Sequence, residues 1–307
     1  MSFGFSLSLT TTPPVEKTTS QDEYRWVAAE DCRTFMATLK DNSVSLIVTD
    51  PPYFIDGMDD KWNRETLERR TRSAGVVKSL PIGMKFDRRQ GLRLHKFMQP
   101  IAEQWLRIIR PGGFALCFSQ NRLTHHAAMA IEEAGFEIRD ILAWQYEGQA
   151  KAFSQDHFIH KRNIPQVEKN RLIAKLEGRK TPQLKPQFES IIMAQAPRDG
   201  TFVDNWDRWE TGLIDPRCPV IDPARFPGTI IPAKKPRERH GHMTTKPVDL
   251  LQHLIRIFCP EGALVFDPFL GSGSTGVAAR MEGRAFIGAE IDKDMARTAE
   301  RRIQNAV

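Results

Sequence analysis

The sequence predicts an α/β fold, and three observations predict it. Residues 24–148 and 247–307 alternate short apolar runs of strand character with longer runs of helical spacing. Between them, residues 151–246 carry ten of the 20 prolines and little periodicity, so this block reads as loop-rich and surface-exposed. Two of the strand-like runs end on Asp-Pro, at Asp50-Pro51 and Asp267-Pro268.

The elements follow in order. Val44-Ser45-Leu46-Ile47-Val48-Thr49 reads as a buried strand. Over Leu94–Ile109 the apolar residues Leu94, Phe97, Met98, Ile101, Trp105, Ile108 and Ile109 fall near helical spacing, and Arg110-Pro111-Gly112-Gly113 stops the helix. Phe114–Phe118 is a second buried strand, Leu123–Ala134 a helix ended by Gly135, and Phe136–Tyr146 a further strand. The middle block shows one strand, Ser190–Ala194. Pro247–Phe258 is helical, Ala263–Phe266 a strand, Gly276–Met281 helical, Ala285–Ala289 a strand and Lys293–Asn305 a terminal helix.

At 307 residues the chain is long enough to bury a sizeable core. Its formal charge of +6 is uneven: residues 151–246 hold 18 Lys and Arg against 11 Asp and Glu, leaving the rest close to neutral. Such a block suits a polyanionic partner, or simply a soluble surface. Trp206 and Trp209 lie among its charges, where they suit nucleic-acid contact or anchor the loops to the core. Cys32, Cys117, Cys218 and Cys259 lie far apart, with no ligand-like spacing, so neither disulfides nor a metal is expected, and Cys117 and Cys259 read as core. No apolar stretch reaches membrane-spanning length. Residues 1–23 are Ser/Thr-rich without a basic region, which reads as a mobile N-terminal arm on a cytoplasmic protein.

Two motifs carry chemistry. Asp50-Pro51-Pro52-Tyr53 closes the strand at 44–49. The prolines stiffen the turn and lack N–H groups. A carboxylate and the Pro51 carbonyl there are acceptors for the two hydrogens of an exocyclic amine, and the Tyr53 ring can stack on a flat base. The second motif is Asp267-Pro268-Phe269-Leu270-Gly271-Ser272-Gly273-Ser274-Thr275-Gly276, a glycine loop between strand and helix that permits close approach of a ligand. Glu290 ends the next strand, the place of a ribose-binding acid. A dinucleotide enzyme is the rival reading; against it stand the Asp-Pro-Phe opening and the lack of residues for hydride transfer.

Together these motifs resemble those of the beta-class DNA amino-methyltransferases, which move a methyl group from S-adenosylmethionine to adenine N6 or cytosine N4. Asp50–Tyr53 matches the family's catalytic motif and Asp267–Thr275 its cofactor motif; His242-Met243-Thr244-Thr245-Lys246-Pro247 resembles the segment preceding the latter. The resemblance implies a Rossmann-like methyltransferase fold with a mixed central sheet and an inserted loop-rich target-recognition region. It divides the chain into a catalytic half at 24–197, with a basic loop at 151–185, a target-recognition insert at 198–241 on the sheet's carboxyl edge, and a cofactor half at 242–307. Asp50, Pro51, Pro52 and Tyr53 would be catalytic. The cofactor would meet Asp31, Cys32, Thr244, Lys246, Asp267, Phe269, Gly271, Ser272, Gly273, Ser274, Thr275 and Glu290. The alternatives are a helix cap for Asp31 and a solvated residue ahead of a helix for Lys246. The target base and DNA would meet Trp144, Tyr146, Lys161, Arg162, Trp206, Trp209, Lys234 and Lys235, with a core role the alternative for Trp144. The implied activity is methylation of adenine N6 in double-stranded DNA by base flipping, with cytosine N4 the nearest alternative and an RNA or protein-amide methyltransferase further off. A homodimer and a cognate restriction endonuclease are partners that the resemblance admits and the sequence does not test.

Overall fold

A computed structural model describes residues 26–53, 89–150, 152–217, 220–222, 225–236 and 245–306. The arm at 1–23, Thr244 and Cys218 lie outside the described residues.

Strand β1 (Val27–Ala28) leads into α1 (Cys32–Thr38), then β2 (Val44–Thr49), α2 (Arg89–Ile108), β3 (Ile109–Ser119), α3 (Thr124–Glu133) and β4 (Glu137–Gln145). Next come α4 (Asp156–His160), α5 (Gln166–Lys175), β5 (Phe188–Gln195), α6 (Phe202–Trp209) and β6 (Ile230–Pro232). The chain closes with α7 (Val248–Phe258), β7 (Leu264–Asp267), α8 (Ser274–Met281), β8 (Ala285–Ala289) and α9 (Lys293–Gln304). One eight-stranded sheet runs β1-β8-β7-β2-β3-β5-β4-β6. The strands from β1 to β3 are parallel; β5 is antiparallel to β3 and β4, and β6 pairs parallel to β4. The sheet is therefore mixed.

The sheet is a middle layer: β2 is covered on both faces, and all six of its residues are buried. Leu46, Val48, Leu116 and Phe118 pack with Leu250 and Leu254 of α7, Ala278 of α8 and Ile303 of α9. Ile47, Ala115 and Cys117 face the other way, onto Met36 of α1, Met98 and Trp105 of α2 and Ala127 of α3. Cys117 and Cys259 are core residues. Among the described residues no helix is long and apolar enough to cross a membrane.

Two local differences from the sequence reading have clear causes. Arg110-Pro111-Gly112-Gly113 stops the helix, but it also forms an irregular opening to β3: the β2 register jumps from Val44 beside Ile109 to Leu46 beside Phe114. Among the described residues the middle block holds three helices, of five to ten residues each, too short to leave a long apolar pattern. Helix α6 starts on a capping box, Thr201 and Asp204 bonding each other's backbone N–H groups. On α5 no residue is buried, so it had no apolar stripe to read.

The block also divides in space. Asn205 Nδ2 donates to the Pro111 carbonyl at 3.0 Å, and the Thr211 hydroxyl donates to the same oxygen at 2.6 Å. Residues 198–212 thus sit at the amino end of β3, whereas Thr49 lies beside Cys117 at the other end. At about 3.3 Å per strand residue the two ends are on the order of 15–20 Å apart. This corrects the reading of 198–241 as one insert on the carboxyl edge. Residues 152–187 leave after β4 and return to β5 on the carboxyl edge, and β6 runs parallel to β4, so residues 233–236 follow it there.

Neighbouring strands β2 and β7 are tied by side chains as well as backbone. Asp267 is buried, its Oδ1 accepting from the Thr49 hydroxyl at 2.7 Å and from Phe269 N–H at 3.0 Å, and its Oδ2 from the Thr275 hydroxyl at 2.7 Å. Asp267→Ala leaves three donors without their acceptor. It should lower the unfolding free energy by roughly 2–4 kcal/mol in urea titration, and a change below about 0.5 kcal/mol would contradict this tie. Burial pushes the Asp267 carboxyl up to about 6, against the three hydrogen bonds that pull it down. The folded state therefore holds this proton more tightly than the unfolded chain, whose Asp titrates near about 3.9. Its contribution to stability is full below about pH 4 and is lost by about pH 6 and above. Comparing wild type with Asp267→Asn across that range reads it out.

Candidate active site

The carboxyl ends of β2, β7 and β8 lie side by side, and the chain order reverses between β7 and β3 around β2. Open α/β sheets bind ligands in the crevice at such a reversal. Asp50 follows β2, the glycine loop follows β7 and Glu290 follows β8. Antiparallel β5 brings Glu189, near its amino end, to the same edge. Lys246 arrives just ahead of α7, with its side chain buried.

These residues form one network. The Tyr53 hydroxyl donates to Asp50 Oδ1, and Lys246 Nζ pairs with Asp50 Oδ2. Glu189 Oε1 lies 3.0 Å from Lys246 Nζ and 3.2 Å from the Tyr53 hydroxyl. The Lys246 ammonium also lies 5.0 Å from the centre of the Phe118 ring. Gln90 of α2 donates to the Tyr53 carbonyl at 2.9 Å, holding the turn, and Arg122 holds Gln90. Burial works against the charge on Lys246, but Asp50 and Glu189 outweigh it and hold the ammonium above the usual lysine range. Burial also raises Glu189, with Lys246 opposing and Asp50 adding to the rise. The Tyr53 phenol is pushed well up by burial, then by the two carboxylates, so it stays a donor.

On the other side of β2, Gly273 precedes α8 at φ 84°, a left-handed backbone that glycine adopts without strain. A Cβ there would meet Ala299 of α9 at 2.8 Å, so glycine also lets α9 close on the loop. Glu290 accepts from Gly271 N–H at 2.8 Å on Oε2 and from Asp292 N–H at 2.9 Å on Oε1. Burial raises its carboxyl, and those backbone donors oppose the rise. With one bond on each oxygen, the carboxylate keeps acceptor sites for two further hydroxyls. Glu290 N–H bonds the Ala28 carbonyl at 2.9 Å, which brings the turn before α1 to the same edge. Phe269 stacks obliquely on Phe97, the ring centres 5.9 Å apart.

The structure gathers Asp50, Tyr53, Lys246, Phe269, Gly271, Gly273 and Glu290 at one edge, with Pro51 and Pro52 between Asp50 and Tyr53. Asp31 caps α1, accepting from Arg33 N–H at 2.8 Å and pairing with the Arg33 side chain, which lowers its pKa. Cys32 is buried behind it, its thiol pushed up to about 12 by burial and then by Asp31. Four expected ligand side chains are corrected. Asp267 and Thr275 bond each other, and the Ser272 and Ser274 hydroxyls lie 3.0 and 3.4 Å from Arg302 Nη1; all four are buried and hold the loop from within.

Trp144 is also corrected. It is 3% exposed, and its indole N–H donates to the Ala233 carbonyl at 2.9 Å, so it is a core residue. Tyr146 lies over it, ring centres 5.1 Å apart, with Lys235 Nζ 3.7 Å from the Tyr146 ring centre. Trp206 and Trp209 are on α6, at the far end of β3 from Asp50, and the Trp209 indole is 3.3 Å from Asp199. Lys161 and Arg162 follow α4, and Lys234 and Lys235 follow β6; all four are exposed on the Asp50 side of the sheet. Glu189 was missed because a single Glu in the run Phe188–Gln195 carries no motif. Lys246 is buried, not solvated.

A profile of the DNA methylase family matches residues 44–301, and the chain belongs to that family, whose methyl donor is S-adenosylmethionine. It is 26% identical over 287 residues to the type II methyltransferase M.HindIII of Haemophilus influenzae, covering 86% of this chain and 90% of that protein. It is 26% identical over 280 residues to the type II methyltransferase M2.DpnII of Streptococcus pneumoniae, covering 89% and 87%. Among solved structures, M1.HpyAVI in complex with SAM superimposes with a TM-score of 0.52 at 18% identity, covering 90% of this chain and 98% of that one. The cytosine-N4-specific PvuII DNA methyltransferase superimposes at 0.56 with 14% identity, covering 90% and 85%. At those identities the likeness is one of fold. It agrees with the Rossmann-like sheet described above.

Proposed function

We propose that the protein methylates the N6 amine of adenine in duplex DNA, with Asp50 as the residue that takes the amine. The observation that carries this reading is the Asp50 carboxylate at the β2 edge, beside the Glu290 crevice and held by Tyr53 and Lys246.

S-adenosylmethionine supplies a methyl group already made electrophilic by the sulfonium. Glu290, with its spare acceptor sites, would hold ribose hydroxyls, and Phe269 and Asp31 would flank the adenine. The protein's remaining task is the nucleophile, because an exocyclic amine's lone pair is delocalised into the ring. Hydrogen bonds from the amine to Asp50 and the Pro51 carbonyl favour a pyramidal nitrogen whose lone pair is free. The carboxylate then stabilises the positive charge that grows on nitrogen. Lys246 is held protonated and so takes no proton from it. The amine must leave the duplex stack to reach this edge, at a cost of a few kcal/mol that stacking in the pocket offsets. Tyr53 and Tyr146 are the aromatic candidates for that stacking. Residues 152–185, with Lys161 and Arg162, and the Lys234-Lys235 pair would meet phosphates on the same side. An Asp opening the motif supports adenine, since that opening is commoner among the adenine enzymes the chain resembles.

Asp50→Ala should abolish transfer while S-adenosylmethionine binding persists in calorimetry; near-normal methylation by that variant would remove the reading. Mass spectrometry of nucleosides from wild-type product should give N6-methyladenine, and N4-methylcytosine would move the assignment to the other amine. Glu290→Ala should weaken the cofactor by about tenfold or more, with Glu290→Gln milder because it keeps the oxygen over Gly271. Replacing Lys234 and Lys235 together by alanine should flatten the log–log salt dependence of DNA binding by roughly two; an unchanged slope would place the phosphates elsewhere.

A further inference from the structure

Asp50 already has a donor on each oxygen: the Tyr53 hydroxyl on Oδ1 and the Lys246 ammonium on Oδ2. Both donors have the same second acceptor within reach, Glu189 Oε1, at 3.2 Å from the hydroxyl and 3.0 Å from the ammonium. Glu189 comes from β5, a strand that otherwise contributes nothing to the proposed chemistry. An ammonium and an amine make the same kind of contact with a carboxylate oxygen, so an amine that takes the acceptor site Lys246 fills on Asp50 Oδ2 has to displace it.

We propose that Lys246 is an internal stand-in for the target amine, and that Glu189 is a positioning residue that takes over Lys246 and Tyr53 when the amine reaches Asp50. The proposal rests on the reading of Asp50 as the amine-binding carboxylate. The physical need for a second acceptor is plain. Lys246 is 7% exposed, and a buried ammonium displaced from its partner is strongly destabilising unless another anion receives it. With Glu189 in place the ammonium shifts its hydrogen bond without leaving the site, so its charge stays beside Asp50 while the amine takes the vacated acceptor position. The Phe118 ring, 5.0 Å away, remains beside the cation in either arrangement.

The test compares two duplexes carrying the methylation site, one with the target base and one with an abasic residue in its place, binding followed by fluorescence anisotropy in the presence of S-adenosylhomocysteine. Only the first duplex brings an amine to Asp50. Glu189→Gln should weaken the base-containing duplex at least tenfold and the abasic duplex less than twofold. Adding Lys246→Met should recover most of that selective loss, since no ammonium is left to displace. Equal losses on both duplexes, or no recovery in the double variant, would overturn the proposal. If Glu189→Gln does not fold, Glu189→Asp makes the same comparison, its shorter side chain drawing the oxygen back from both donors. Asp50→Ala separates the two levels. Retained methylation there would sink the amine reading itself. Lost methylation, with Glu189→Gln indifferent to the base, would sink only the stand-in.

Discussion

The hydrogen bond from Thr49 to Asp267 joins residues 218 positions apart in the chain, and both halves of the site hang from it. Thr49 is the last residue of β2 and Asp267 the last of β7. Locking these two ends together sets Asp50 beside the glycine loop, because each is the next stretch of chain along. Thr275 and Phe269 N–H then fold that loop around the same carboxylate. A buried carboxylate with three donors is costly to lose and therefore specific in geometry. The Asp50 turn and the glycine loop are thus referenced to one carboxylate.

Charge arranges the remainder of the site. Asp50 and Glu189 face one ammonium, and neither carboxylate is left without a cation or a hydrogen-bond donor. Tyr53 serves both, its phenol kept neutral by burial and by the carboxylates themselves. The network spans the turn after β2, β5 and Lys246 just ahead of α7, so it forms only when the mixed part of the sheet is assembled.

Most of the sheet was legible in the sequence, because buried strands such as Val44–Thr49 and amphipathic helices such as Leu94–Ile109 write their burial directly into spacing. The two motifs were legible because their residues are consecutive. Glu189 was not, since its meaning comes from antiparallel pairing with β3 across the sheet, which no local pattern encodes. The serines and Asp267 of the cofactor motif read as ligands, yet a hydroxyl facing inward and one facing a ligand look alike in sequence. Trp206 and Trp209 misled for a related reason: aromatic residues among charges mark a loop surface but not which end of the sheet that surface covers.

Helix α5 has no buried residue, although the segment from 152 to 187 that carries it leaves β4, buries Ile159 of α4 and returns to β5. Substitutions along α5 remove no core contact and touch none of the Asp50 partners. The fold therefore makes little demand on the identity of those side chains. The surface of that helix can change in charge and shape without disturbing either the Asp50 network or the glycine loop.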